Sequence, residues 1–345
     1  MKQRSLDWIV IGAGPAGIAA VGKLIDTGID PKKIGWIDPY FEVGDLGRKW
    51  HSVPSNTKVS LFFKFIQACS SFDFDRRPSK FHLETIDPQD TCLLQDVVEP
   101  LLWITQILKS KVEAIQDSAI ALNLFENHWE VKTQKNSYSA KKVILAIGSE
   151  PKTLPHSIQT VPLEIALNEE KLKNTVQPND TIAVFGSSHS AILVLAILIK
   201  HNIKQVINFY RSPHKYAVYL NDWILFDDTG LKGFTAGWAK KHIDGTFPPN
   251  LKRVLVSDIR FEESLAACNK AIYAVGFERR KTPVLEQYKT THYDDRTGII
   301  APGLFGLGIA FPQAKYNPLD QLEHRVGLWK FMDYLNSTLP IWQKY

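Results

Sequence analysis

The residues Gly12-Ala-Gly-Pro-Ala-Gly17 have the types and spacing of a turn that brings backbone N–H groups onto a phosphate. An apolar run, Asp7 to Ile11, leads into them. A helical run, Ile18 to Gly28, follows and stops at a glycine. A second apolar run, Ile34 to Ile37, ends at Asp38, 21 positions after Gly17. Gly12 permits the tight turn, Gly14 lets a pyrophosphate approach, and Gly17 lets helix and strand pack closely. Pro15 and Ala16 open the helix, whose N-terminus offers free N–H groups and the positive end of its dipole. Asp38, followed by Pro39, can accept hydrogen bonds from ribose hydroxyls and repels a 2′-phosphate, so this turn is predicted to take FAD or NAD rather than NADP.

The pattern recurs. Thr181 to Phe185 is an apolar strand, Gly186-Ser187-Ser188-His189-Ser190-Ala191 is the loop, Ile192 to Ile199 is an apolar helix, and Gln205 to Tyr210 is a strand ending at Arg211. Gly12 to Asp38 spans 26 positions and Gly186 to Arg211 spans 25. Ser188 and Ala191 stand where the second and third glycines would be. At the strand end an arginine replaces the acid, and a guanidinium forks onto a phosphate. Arg211 is therefore predicted to select the 2′-phosphate of NADPH. His189 is read as a packing residue of the loop, not as an acid or base.

Two such turns need a chain long enough to build a core around each. With 345 residues there is room for roughly two domains. Hydrophobic residues make up 44% and charged residues 22%, as in an ordered globular protein. The net charge of +5 is mild and spread along the chain, so no nucleic-acid partner is implied. Ala191 to Ile199 is the longest apolar run and Lys200 ends it, far short of the ~18 residues of a membrane span. The N-terminal apolar stretch, Trp8 to Val21, carries Gly12, Gly14, Pro15 and Gly17, unlike a cleaved signal helix. The reading is a cytoplasmic protein. Cys69, Cys92 and Cys268 are too scattered for a disulfide framework, and the 10 histidines show no metal-binding spacing, so no metal is predicted.

Other elements complete the sheets. Asp87 and Pro88 are predicted to start a helix with an apolar face at Leu93, Leu94, Val97, Leu101, Ile104 and Leu108, kinked or split at Pro100. Short strands follow at Ala119 to Leu124, His128 to Thr133 and Ser137 to Ala140. Lys141 to Pro151 and Cys268 to Glu278 each run an apolar strand into a turning glycine, Gly148 and Gly276. Thr297 to Pro312 is a strand with tight turns, and Asn317-Pro318 is predicted to start the last helix. The fold class is α/β: two Rossmann-like three-layer (ββα) dinucleotide-binding domains, the second inserted into the first. The domains are 1–160, 161–295 and a return over 296–345, with an aromatic insertion at 212–250 read as a packing layer or substrate lid.

Gly12 to Gly17, Asp38, the turn Ala146 to Pro151, the loop Gly186 to Ala191 and the closing Gly303 to Pro312 together resemble the flavoproteins with two dinucleotide-binding domains. That group includes thioredoxin reductases, flavin-containing monooxygenases and ornithine or lysine N-hydroxylases. The disulfide reductases carry a Cys-x-x-Cys pair, absent here. Gly47 to His51 and Pro54 to Thr57 are similar to elements that line the flavin in the monooxygenases and N-hydroxylases. The resemblance makes Asn56, Trp50 and His51 the catalytic candidates, with Lys49 also beside the cofactor. Many relatives end in a Gly-Asp pair that binds the ribityl chain; here Gly308-Ile309 occupies that place. The resemblance implies FAD and NADPH as cofactors, a small-molecule substrate and a homodimer. It also implies oxygen transfer through a flavin peroxide. An NADPH dehydrogenase passing electrons to a quinone, and a flavin-bound non-catalytic binding protein, are the alternatives.

Overall fold

A computed structural model of the chain describes residues 5–221, 223–287 and 292–345. It divides into two compact units. The first comprises the chain up to His51, Lys58–Glu150 and Arg279–Tyr345; the second comprises Ser52–Thr57 and Pro151–Glu278.

In the first unit the hydrophobic run Ser5–Ile11 is a central strand, parallel to Ile34–Ile37 on one side and to Ser137–Leu145 on the other. The strand Ser137–Leu145 serves two sheets' worth of partners. Its first half pairs antiparallel with His128–Thr133, and its second half pairs parallel with Ser5–Ile11 and with Leu304–Gly306. This long strand merges Ser137–Ala140 with the run that follows it, two segments read separately from the sequence. Among the described residues the sheet has nine strands. The helices Pro15–Asp26, Leu94–Lys111 and Leu328–Lys344 bury Ile18, Val97, Leu101, Leu335 and Trp342 against one face of it.

The second unit is built on a parallel five-stranded sheet in the order Gln159–Thr160, Lys270–Tyr273, Thr181–Phe185, Gln205–Tyr210, Leu251–Leu255. Parallel strands covered on both faces read as continuous apolar runs, and Lys270–Tyr273 is buried throughout. The helix His189–Lys200 packs its apolar side on the sheet. The insertion 212–250 folds as a short hairpin, Val218–Tyr219 with Ile224–Leu225, and a helix, Gly233–His242.

Three expectations are corrected. The predicted domain limits at 160 and 295 fall at 150 and 278. Gln159–Thr160 pairs with Lys270–Tyr273, and His156 stacks on Phe185 at 4.9 Å, so 151–160 belongs to the second unit. Val284–Leu285 pairs with Ala121–Leu122, which draws the segment after 278 into the first. The helix expected from Asp87 starts at Leu94, because Thr91–Leu93 is extended and Asp96 accepts the Leu93 N–H at 3.0 Å. Pro100 lies inside the helix, which runs on through it to Lys111. The helix expected from Asn317 is instead the turn of a hairpin, Gln313–Tyr316 with Leu322–Arg325. Asn317 Oδ1 accepts the N–H groups of Leu319 and Gln321, which fixes an Asx-type turn. The last helix begins at Leu328.

The two glycine turns are built alike. Gly12 (φ +106°) donates its N–H to Ile37 O at 2.8 Å, and Gly186 (φ +123°) donates to Phe209 O at 2.9 Å. A Cβ on Gly12 would lie 2.3 Å from Ala146 O, and one on Gly186 would lie 2.3 Å from Ala274 O. Gly28 has a similar φ of +89° with nothing near its Cβ position. Gly28→Ala is expected to cost about 1–2 kcal/mol from the left-handed backbone alone. Gly12→Ala adds a backbone collision and should lower the urea midpoint clearly further.

Candidate functional site

Each glycine turn ends at the bare N-terminus of a helix. In the first unit Gly14 is the N-cap and offers no side chain; Ile18 N–H, bonded to Gly14 O at 3.0 Å, is the first to find a helical acceptor. Ala16 and Gly17 N–H groups have no acceptor among the described residues. In the second unit Ser188 is the N-cap and its hydroxyl does not cap; Ile192 N–H bonds Ser188 O at 3.0 Å. His189, Ser190 and Ala191 N–H groups are likewise without acceptors among the described residues. Unsatisfied donors at the positive end of a helix suit an anion.

The glycines of the first turn divide by what demands them. Gly12 is required by its backbone angle, and Gly17 by packing, since a Cβ would lie 1.9 Å from Gly12 O. Gly14 is required by neither. Its φ is −75°, and a Cβ there would meet only Gly44 Cα at 3.9 Å and Val43 O at 4.0 Å. The fold alone tolerates a larger residue at Gly14, and its bare Cα leaves room for a group such as a pyrophosphate to approach the turn.

Asp38 is buried at 8% exposure. Its Oδ2 accepts the Ala13 N–H at 2.8 Å, and its Oδ1 accepts those of Tyr40 and Phe41 at 2.8 and 2.7 Å. A carboxylate has about four acceptor positions, so the ribose contact expected of Asp38 competes for the single one left. The main work of this residue is to hold the glycine turn and the segment after Pro39. That segment is bent: Phe41 and Val43, both buried and neither glycine, have φ of 56° and 60°. The bend sets Gly44 against Gly14, where a Cβ on Gly44 would lie 3.0 Å from Gly14 Cα. Nothing in the composition of Phe41 or Val43 signals this.

Trp36 was also missed. Its Nε1–H donates to Gly12 O at 2.9 Å. In the second unit the same register position is Asn208, whose amide donates to Gly186 O at 2.8 Å and to Val184 O at 2.9 Å. An indole and an amide thus do one task in two copies, and only the paired registers show it.

Of the other predicted residues, Lys49 sits 3.5 Å from Asp45, which also bonds Arg280. His51 Nδ1 lies 3.0 Å from Gly47 O. Trp50 and His51 belong to the first unit and Asn56 to the second, so the three catalytic candidates do not form one cluster within either unit. Gly308 has φ +89° and approaches helix Pro15–Asp26 so closely that a Cβ would lie 2.6 Å from Ala16 Cβ; Ile309 beside it is 36% exposed. Gly148 and Gly276 have φ of +72° and +95°. Arg211 is exposed and makes no ion pair among the described residues.

His189 is a packing residue. Its Nε2 lies 3.1 Å from Pro54 O, so that nitrogen carries the proton, and Nδ1 lies 3.1 Å from Thr235 Oγ1. Burial pushes its pKa down, which keeps the ring neutral. The ring ties Ser52–Thr57 to the second unit. The cysteines are buried, and burial raises the Cys69 thiol far above its ordinary value and the Cys268 thiol to about 11. Among the described residues no group of His, Cys, Asp and Glu is placed to hold a metal, and no helix is long and apolar enough to cross a membrane.

No protein-family model matches the chain. Monooxygenase AgnR1 of Paecilomyces divaricatus is 32% identical to it over 97% of each chain. Among solved structures, a flavin-containing monooxygenase of Stenotrophomonas maltophilia aligns over 99% of both chains with a TM-score of 0.65 at 15% identity. An L-lysine 6-monooxygenase of Pseudomonas syringae aligns over 98% of this chain and 99% of its own, with a TM-score of 0.65 at 12% identity. At such identities the structures share the fold.

Asp38→Asn keeps the shape but turns an amide N–H toward one of three backbone donors. A cost of about 1–3 kcal/mol is expected. Urea unfolding measures it, and an unchanged midpoint would mean that the carboxylate does not hold the turn.

Proposed function

The chain belongs to the flavoproteins with two dinucleotide-binding domains, in the family of the Paecilomyces divaricatus monooxygenase, and on that premise we propose that it is an FAD-dependent, NADPH-reduced monooxygenase acting on a small molecule. The observation that carries the reading is Gly14: a bare Cα that the fold does not require, at an uncapped helix N-terminus.

When bound, FAD accepts a hydride from a reduced nicotinamide and passes electrons on to dioxygen. The chain's own groups bind and orient. Gly14 admits the pyrophosphate, and the Ala16 and Gly17 N–H groups with the helix dipole neutralise it. Asp38 holds the turn in shape and offers its remaining lone pair to a ribose hydroxyl. Gly308, with no side chain, lets the return segment reach helix Pro15–Asp26, so that backbone N–H groups near Ile309 replace the carboxylate that many relatives use. Asn317–Gln321 is a hairpin turn, so no helix N-terminus at Pro318 takes part.

In the second unit Gly186, Ser187, Ser188 and Ser190 carry the donor's pyrophosphate at the helix His189–Lys200. His189 contributes its backbone N–H, since both ring nitrogens are engaged. Arg211, exposed and unpaired, is free to meet a 2′-phosphate. Trp50, His51 and Asn56 are the groups proposed to orient the reacting substrate.

The purified protein should be yellow, bleach on NADPH addition without oxygen, and place one atom of labelled dioxygen in an organic product. A colourless protein that cannot be reconstituted with FAD overturns the reading. Gly14→Ala separates ligand from fold. Its stability without cofactor should stay within about 0.5 kcal/mol of the parent, while FAD no longer co-purifies with it. Full FAD occupancy in this variant would show that Gly14 does not face the ligand.

A further inference from the structure

The two copies differ in charge at one corner. In the first, the residue after the second strand is Asp38, and its carboxylate takes the Ala13 N–H of the glycine turn. The counterparts in the second are Tyr210 and the Ser187 N–H, which has no acceptor among the described residues. Here a cation replaces the carboxylate. Arg253, on the neighbouring strand Leu251–Leu255 and in register with Asn208, sets its guanidinium 4.3 Å from the centre of the Tyr210 ring. Its Nε–H donates to Asn208 Oδ1 at 2.8 Å, and Asn208 in turn donates to Gly186 O. The guanidinium is therefore aimed by the turn itself.

One of its donors is left over. Arg253 Nη2 is buried and has no partner. Beside it lies a second unfinished group. The His214 side chain is only 8% exposed; its Nε2 is 3.2 Å from Asp244 Oδ1, and its Nδ1 is buried without a partner. Tyr216 closes the cluster by donating to Asp244 Oδ2 at 2.5 Å, and the Asp244 charge acts on both His214 and Arg253. Two buried nitrogens without partners in one cluster are expensive for a fold to keep. Burial also works against the Arg253 charge.

We infer that Arg253 and His214 form an inner seat for a phosphate monoester, the 2′-phosphate of the adenosine end of a nicotinamide donor, with Arg211 closing it from the solvent side. The inference rests on reading the second unit as the donor's site. A phosphate monoester suits both nitrogens at once. One anionic oxygen takes the Arg253 Nη2–H. Another oxygen meets His214 Nδ1, as P–OH against the neutral ring or as an oxyanion against the imidazolium, since the second phosphate ionisation lies near neutrality. The His214 Nε2–H stays on Asp244 in either case. The Tyr216–Asp244 hydrogen bond holds the segment that carries His214 in place. Arg253 and His214 lie 39 positions apart, and neither falls in the glycine-loop motif that marks the donor site.

The experiment is calorimetric titration of the FAD-loaded protein with adenosine 2′,5′-bisphosphate and with adenosine 5′-monophosphate, which differ by that one phosphate. The parent should prefer the bisphosphate by about tenfold or more, the effect of charge-assisted hydrogen bonds. Arg253→Met and His214→Gln should each shrink the preference toward unity, with monophosphate affinity held within about twofold. Arg253→Lys should recover part of it. Parallel loss of both ligands would make Arg253 a prop for Asn208 and overturn the inference, as would a preference that survives both variants or is absent from the parent. His214→Gln decides the matter if Arg253→Met does not fold. A parent that binds neither nucleotide fails the donor-site reading and the inference together; one that binds both equally fails only the inference.

Discussion

The structure turns on how near a backbone can come to a carbonyl. At Gly12 and at Gly186 the chain leaves one strand and passes so close to the end of another that any Cβ would fall 2.3 Å from an oxygen, Ala146 O or Ala274 O. That approach lets the following helix start directly over the sheet, with its first N–H groups aimed outward and unbonded. Helix dipole, free donors and bare Cα are consequences of one close contact, made twice. Each first-glycine carbonyl is then tied down from the neighbouring strand, by Trp36 in one unit and Asn208 in the other. These buried bonds keep the turn from relaxing when no anion occupies it.

Much of this was legible. Strands Ile34–Ile37, Thr181–Phe185 and Gln205–Tyr210 fall where the apolar runs place them, because a parallel strand buried on both faces must be apolar throughout. The first glycine of each loop was legible for a similar reason: the close approach removes every alternative residue. Asn317-Pro318 was misread because the same two residues serve a helix start and an Asx turn equally well. The choice was made further along, by the pairing of Gln313–Tyr316 with Leu322–Arg325, and that pairing has no local signature. The role of Asp38 was half legible. Its position marked it, but three backbone donors to its carboxylate depend on the left-handed bend at Phe41, which side-chain types do not announce.

What stayed hidden was contact across strands. Asn208 and Arg253 are 45 positions apart and meet only because Gln205–Tyr210 and Leu251–Leu255 are neighbours in register. The segment Ser52–Thr57 is a second example. Its sequence lies next to Trp50 and His51, yet Pro54 is held by His189 and Ser52 by Asn168, both of the second unit. A motif read as one stretch can therefore feed two units.

The chemistry of Cys69 and Cys268 follows from where they are buried. A disulfide reductase passes electrons from flavin to a disulfide, and the nucleophile in the exchange that follows is a thiolate. Here the Cys69 thiol is buried among Gly22, Phe72 and the chain around it, with burial driving it far from ionisation, and Cys268 donates its S–H to Ser264 O at 3.4 Å. Neither is poised for exchange. Cys69 and Cys268 are therefore packing residues of their cores rather than an exchange pair.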